Sequence, residues 1–121
     1  MPPTTVGLVV VALVPLVVGD WRVSLQTAIQ LHQAGNLVGA AEHYREAIGS
    51  NPALAEHAPV LTNYGFAIQA EGQAAEAIEA FRGVLRLTPD SADTYFNIGR
   101  AHTDLGEHDA AQEALPSHIH I

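Results

Sequence analysis

The chain has 121 residues, a formal net charge of −8 and no cysteine. This length supports one domain. The lack of cysteine excludes disulfides and thiolate metal sites. All five basic residues are Arg, and they are outnumbered by 13 acidic residues, so the phosphate backbone of a nucleic acid is an unfavourable partner.

The N-terminal segment, residues 1–19, has no charged side chain, and its centre, Val6 to Val18, is a run of 13 mostly apolar residues that contains Pro15. A transmembrane helix needs roughly 20 apolar residues, whereas a signal-peptide core needs roughly 7–15. No Lys or Arg precedes the run, however. Three interpretations stay open: an export signal or membrane anchor, an apolar extension packed on the helical unit that follows, and a fragment or artefactual start.

These interpretations set the expected location of the chain. We expect contact with a membrane only through residues 1–19. We expect a cytoplasmic chain unless that segment acts as a signal, in which case the protein is exported or anchored.

The central stretch, Ala58 to Pro89, predicts two helices joined at Gly72. Glycine just past a helix end adopts positive φ without strain, and Pro89 disfavours helix in the residue before it. Each half has apolar or small residues at helical spacing, which places them on one face. These residues are Leu61, Tyr64, Gly65 and Ile68 in the first half, and Ala77, Ile78, Phe81, Val84 and Leu85 in the second.

The same pattern recurs on both sides of this stretch. Gly72 and Gly106 are 34 residues apart, and Gly35 precedes Gly72 by 37, which is 34 plus three. Other positions recur in the same register, and a hairpin of this size cannot bury its apolar side alone, so its copies must stack. The recurring sets are Ala40, Ala77 and Ala111; Tyr44, Phe81 and Leu115; and Pro52 and Pro89.

This register resembles the tetratricopeptide repeat family, whose 34-residue helix-turn-helix has small residues where helices cross, an aromatic residue in the second helix and a terminal Pro. The resemblance implies an all-α solenoid of about three helical hairpins, the last truncated. The expected units are an N-terminal segment (1–20), a repeat domain (21–115) made of repeats 21–54, 58–91 and 92–115, and a tail (116–121).

The register predicts which residues form the core and the helix ends. We expect Tyr44 and Phe81 to be buried between their own hairpin and the next. Asp20 and Asn36 are the expected N-caps of the first two helices, because short polar side chains accept hydrogen bonds from the first helical N–H groups. Asp90 or Ser91 should cap the fifth helix.

No catalytic constellation stands out in the sequence. Glu42-His43 and Glu46 do not form the HExxH pattern of zinc proteases. His118 and His120 alternate in the tail and could bind a metal weakly, but a tag-like end is the simpler interpretation. We therefore expect no catalytic residue, no cofactor and no metal site, and we expect that the chain is not an enzyme.

The resemblance implies that the first helix of each repeat lines a concave groove. At the sixth position of the repeats lie Gln26, Asn63 and Asn97. A side-chain amide donates and accepts at once, so it can pair with the N–H and C=O groups of an extended peptide. We expect a ladder of three amides that face the groove rather than the core; the alternative is that Asn at this position is only common to the family. Neighbouring groove candidates are Arg22, Leu25, Ile29, Phe66, Phe96 and Arg100.

One subclass of the family is disfavoured by these positions. Co-chaperones that grip the acidic tail of a chaperone use Lys where this chain has Leu25 and Asp93. Because Asp93 reverses the charge, we do not expect an acidic chaperone tail as the ligand.

The sequence therefore predicts a non-catalytic protein–protein interaction scaffold or adaptor that binds an extended peptide or a partner helix on its concave face. The alternative is a repeat fragment of a larger enzyme, such as a protein O-linked N-acetylglucosamine transferase, where it would recruit substrate. The truncated third hairpin leaves Ala111 and Leu115 uncovered. We expect self-association through this uncapped C-terminal end, or contact with a continuation of the chain.

Overall fold

The computed structural model describes residues 20–106, which form five α-helices and one 3-10 helix, with no strand in this range. The all-α prediction is confirmed. Residues 1–19, the predicted sixth helix and the tail lie outside the described range. Between residues 20 and 106, no helix is long and apolar enough to cross a membrane. The elements are α1 (Trp21–Gln33), α2 (Leu37–Ser50), the 3-10 helix (Pro52–Glu56), α3 (Ala58–Ala70), α4 (Ala74–Leu87) and α5 (Ala92–Asp104).

The predicted N-caps are confirmed at the starts of α1, α2 and α5. The side chains of Asp20, Asn36 and Ser91 each accept a hydrogen bond from a backbone N–H two or three residues later. Such caps satisfy N–H groups that have no partner inside the helix. Of the two candidates for the cap of α5, the structure uses Ser91.

Glycine turns separate the two helices of each hairpin. Gly35 and Gly72 have φ values of 85° and 89°, and Gly106 has a φ of 80° at the end of α5. Other residues rarely adopt this left-handed conformation. Because the same turn recurs at equivalent positions, α1–α2 and α3–α4 have the same hairpin geometry.

The helices stack in chain order. α1 packs on α2, α2 on α3, α3 on α4, and α4 on α5. Small side chains at the crossings allow the helices to approach closely, and many of them are fully buried. These are Ala28, Ala40, Ala41, Ala47, Ala67, Ala77 and Ala101.

Tyr44 and Phe81 are fully buried, as the register predicted. The Phe81 ring lies against Gly65 of α3, where an added Cβ would be 2.5 Å from the Phe81 Cε1 atom. Only glycine leaves room for that contact. The same ring meets Phe66 edge to face, with 5.6 Å between the ring centroids. Phe81 therefore contacts both Gly65 and Phe66, two consecutive residues of α3.

A charged cluster joins the first hairpin to the second. The Arg45 side chain on α2 donates to Glu71 at 3.1 Å and to Glu76 at 3.5 Å. Its guanidinium also lies 6.0 Å from the centroid of the Tyr64 ring, and the Tyr64 hydroxyl donates to Glu76. The hydrogen bond to Glu71 is the main reason why the pKa of Arg45 lies above its usual range. One cation thus holds α2 against both helices of the second hairpin.

Truncation of the fully buried ring should unfold most of this short array. We expect Phe81→Ala to lower the free energy of unfolding by about 3–5 kcal/mol, through lost transfer energy and the cavity left behind, out of a total of roughly 5–15 kcal/mol. Urea denaturation followed by circular dichroism measures this. Val38→Ala, at an exposed position of α2, is the control and should change stability by less than about 0.5 kcal/mol. A Phe81→Ala curve that overlies the wild-type curve would contradict this core.

The charged cluster predicts a loss of stability in alkali. Burial, then the hydrogen bond to Glu76 and its charge, raise the pKa of Tyr64 to about 12, against about 10 in an unfolded chain. Between these values the folded state keeps a proton that the unfolded state has lost, so stability falls as pH rises from about 10 to about 12. We expect this phenol to account for a loss of about 1–2 kcal/mol, allowing for partial solvent screening.

Thermal melts of wild-type and Tyr64→Phe protein across that range measure the effect. The variant, which has no phenol at this position, should lose less stability over the same pH interval. Parallel decreases in the two proteins would show that Tyr64 titrates no differently in the folded and unfolded chains.

Candidate peptide-binding groove

A cavity of about 470 Å³ lies between the first helices of the second and third hairpins, α3 and α5. We call it the central cavity. Its lining is mixed: it contains aromatic rings as well as amide and carboxylate groups. The lining includes Pro59, Asn63 and Phe66 from α3, and Asp93, Phe96 and Asn97 from α5.

A second cavity, of about 390 Å³, lies where α1, α3 and α5 end. We call it the distal cavity. Phe66 borders both cavities, so they form one groove across the first helices. The Gln69 amide donates to Asp104 at 2.9 Å and joins α3 to α5 at this end. The remaining lining includes His32, Leu37 and Arg100.

The residues predicted on the first repeat lie elsewhere. Arg22, Gln26 and Ile29 line a separate cavity of about 440 Å³ along α1. Ile29 also packs partly against the core. The structure thus brings Asn63, Phe66, Phe96 and Asn97 together in the central cavity and places Arg100 with Phe66 in the distal one.

The Asn97 side chain is largely buried and unpartnered. The residue is 8% exposed and lines the central cavity, so its amide faces the groove although little of the residue is open to solvent. Among residues 20–106 its amide has no hydrogen-bond partner, although no polar atom there is both sealed from solvent and unpaired. The polar atoms of this amide therefore reach the solvent in the cavity, where water or a ligand can pair with them.

Asn63 has a second role at the junction of the first two hairpins. Burial raises the pKa of the Tyr44 hydroxyl, and a hydrogen bond from the Asn63 side chain partly offsets that rise. The same hydroxyl lies 3.4 Å from His32 Nδ1. Asn63 therefore reaches from the central cavity to the buried end of Tyr44, so it contributes to packing as well as to the groove.

α5 presents a large apolar side chain and a cation to the groove. Phe96 is 47% exposed, and the Arg100 guanidinium lies 5.9 Å from the centroid of its ring. Within residues 20–106, no carboxylate lies within salt-bridge distance of Arg100. Phe96 and Arg100 thus present an exposed ring and a charge without a carboxylate partner to the concave surface.

Sequence reasoning did not predict several residues of this groove, and those with charged, imidazole or amide side chains are His32, Gln69, Asp93 and Asp104. The spacing of residues in the sequence could have predicted two of these, Asp93 and Asp104. Asp93 and Asp104 are four residues before and seven after Asn97, spacings that place all three near one helical face. Across the described part of the chain, no group of three or more His, Asp and Glu side chains is placed to hold a metal ion.

The predicted sixth helix is not among the described residues. The end-to-end contact through Ala111 and Leu115 therefore stays a prediction. At the adjoining edge of the described range, Leu105 is exposed just after α5.

Comparison with known proteins agrees with this geometry. The Tetratricopeptide repeat family matches residues 69–116. The comparison with curated proteins finds no match. The structure titled "Crystal structure of MamA protein" is 20% identical over 80% of this chain and 51% of its own, with a TM-score of 0.65. "Crystal structure of MamA" is 23% identical over 79% and 54%, with a TM-score of 0.67.

A structure of MamA MSR-1 is 21% identical over 79% of this chain and 53% of its own, with a TM-score of 0.69. This chain spans about half the length of the three MamA structures. At such identities the likeness shows the fold, an all-α repeat solenoid.

The two groove asparagines should differ in their effect on stability. We expect Asn97→Leu to raise the free energy of unfolding by about 0.5–1 kcal/mol, because it replaces a largely buried amide that pairs only with solvent by an apolar side chain of similar size. Asn63→Leu should lower it by about 1 kcal/mol, because the Tyr44 hydroxyl loses a partner. Urea denaturation of both variants tests this. If Asn97→Leu destabilised as much as Asn63→Leu, the Asn97 amide would have a structural role within the fold.

Proposed function

We propose that this chain, whose residues 69–116 match the tetratricopeptide repeat family, is a non-catalytic protein–protein interaction module that binds a partner segment in the groove between α3 and α5. One observation carries the proposal. Asn97 is a largely buried amide without a partner among the described residues, and it lines a 470 Å³ cavity beside the half-exposed Phe96. The polar backbone of a peptide ligand would pair with the Asn97 amide, and an apolar side chain of the same ligand would cover the Phe96 ring.

The two kinds of lining suit an extended peptide. An amide can accept from a backbone N–H and donate to a backbone C=O of the same peptide. Phe96 and Phe66 offer apolar surface for a side chain on the same stretch. The cavity volume falls within the roughly 300–1,000 Å³ typical of ligand sites, which is room for one or two peptide side chains rather than for a folded domain.

The amide contacts and the aromatic contact would have separate roles. Backbone pairing with Asn97 fixes the path of the peptide without reading its sequence. Each such hydrogen bond contributes about 0.5–1.5 kcal/mol net, because it replaces bonds to water. Burial of an apolar side chain against Phe96 supplies affinity and preference, since large apolar anchors dominate interface energies.

The alternative, an enzyme fragment that recruits substrate, has no specific observation in its favour. Residues with strongly perturbed pKa values often mark active sites. Here the shifted groups are Tyr44, Arg45 and Tyr64, which hold the first two hairpins together and do not line the central or distal cavity. The perturbed groups of the described range thus belong to packing.

The exposed aromatic of α5 should be a contact with the partner. A photoreactive benzoylphenylalanine at position 96 should cross-link to a specific protein in cells, and the adduct identifies the partner and the segment that touches the groove. Phe96→Ala should then weaken binding of that partner by about 1–2 kcal/mol, or ~5- to 30-fold, as measured by calorimetry. Its melting curve should stay close to that of the wild type, because the ring is half exposed.

Position 38 provides the matched control. Val38 is similarly exposed but lies on α2, outside the groove cavities. A photoreactive residue there should give no adduct with the same partner, and Val38→Ala should leave its affinity unchanged. Adducts at position 38 and none at position 96 would place binding on another surface and overturn the proposal.

A further inference from the structure

We propose that the groove selects a peptide segment with charges of both signs: a basic side chain at one end, an apolar one in the middle and an acidic one at the other end. This inference rests on the proposed peptide-binding function and specifies its ligand. It comes from the order of side chains along α5, where Asp93, Phe96 and Arg100 face the groove in sequence.

The three side chains form a stripe along one helix face. Asp93 and Arg100 are seven residues apart, two helical turns, which separates them by about 10 Å along the axis. Phe96 lies between them, one turn from each. Asp93 and Phe96 line the central cavity, and Arg100 lines the distal cavity. Along α5 the groove therefore presents a carboxylate, then an aromatic ring, then a guanidinium, with the Asp104 carboxylate beyond it.

The charges at both ends are free to meet a ligand. Asp93 and Arg100 are exposed, and neither forms an ion pair with any residue between 20 and 106. Two other Arg residues have carboxylate partners: Arg45 pairs with Glu71 and Glu76, and Arg82 pairs with Glu79. Unpaired charges of opposite sign at the two ends of a groove favour a ligand with the complementary arrangement and disfavour like charges.

The spacing suits an extended strand. Alternate residues of a strand point to the same side and lie about 7 Å apart. A basic, an apolar and an acidic side chain at positions i, i+2 and i+4 would therefore meet Asp93, Phe96 and Arg100 in turn. The Cα atoms at positions i and i+4 of a strand are about 14 Å apart, whereas Asp93 and Arg100 are about 10 Å apart along the helix axis. Lys and Glu side chains are long and flexible enough to reach inward over this difference.

The distal cavity also limits how acidic the ligand can be. Asp104 lies one turn beyond Arg100 and accepts a hydrogen bond from Gln69, which holds its carboxylate at that end of the groove. His32 is the other titratable group that lines this cavity. One acidic side chain can pair with Arg100, but a second one further along would meet Asp104. A run of acidic residues is thus disfavoured, and so is a purely basic peptide, which would place a cation against Arg100.

Synthetic peptides test this directly with the full-length chain. Three capped nine-residue peptides of Gly and Ser carry Leu at the fifth position, and differ at the third and seventh: Lys and Glu (mixed), Glu and Glu (acidic), or Lys and Lys (basic). The mixed peptide is made in both chain directions. Binding is measured by fluorescence anisotropy at low salt. Of the two mixed peptides, the one that binds more tightly should bind about two- to fivefold better than the acidic or the basic peptide, as expected for exposed charge pairs.

A charge reversal supplies the decisive comparison. With Arg100→Glu the ranking should change, so that the basic peptide becomes the best ligand and the mixed peptide loses about three- to tenfold. Arg86→Glu is the matched control: Arg86 is also exposed, lies on α4 and lines neither groove cavity. It should shift all affinities together and leave the ranking unchanged.

Three results would overturn the inference: a ranking that follows net charge alone, the same change of ranking in Arg86→Glu, or no measurable binding of any peptide. If all three peptides bound equally well and Phe96→Ala weakened each of them, the charge selection would be overturned. The proposed binding in the groove would still stand. Failure of the proposed function is detected separately, by the cross-linking at position 96.

Discussion

The close approach of α3 to α4 at Gly65 is the contact on which the rest of the structure depends. The Phe81 ring occupies the space that any side chain at position 65 would need. That ring is fully buried and meets Phe66 edge to face, and Phe66 borders both groove cavities. A single glycine thus connects the core of the second hairpin to the floor of the binding surface.

Charged groups are paired at the junction of the first two hairpins but not in the groove. At the junction of the first two hairpins, Arg45 is shared among Glu71, Glu76 and the Tyr64 ring, so charge is satisfied inside the protein. In the groove, the described part of the chain leaves the Asn97 amide without a hydrogen-bond partner and Arg100 without a carboxylate partner, although the guanidinium lies near the Phe96 ring. The contrast separates groups that hold the fold from groups available for binding.

Features set by local chemistry could be predicted from the sequence, and those set by the angle between hairpins could not. The Gly72 turn, the cap at Asn36 and the burial of Phe81 depend on residues a few positions apart. The burial of Asn97 and the grouping of the amides depend on how α3 and α5 approach each other. The register placed Gln26 in line with the other two amides, but the structure gives it a separate cavity along α1.

The most direct test of the groove is nuclear magnetic resonance of the ¹⁵N-labelled chain, titrated with the partner segment found by cross-linking. Binding in the groove predicts the largest shift changes at the backbone amides of α3 and α5 that line the central cavity. It also predicts a change in the side-chain amide signals of Asn97, since that group would gain its missing partner. Changes confined to α2 and α4, with the Asn97 side-chain signals unmoved at saturation, would contradict the account.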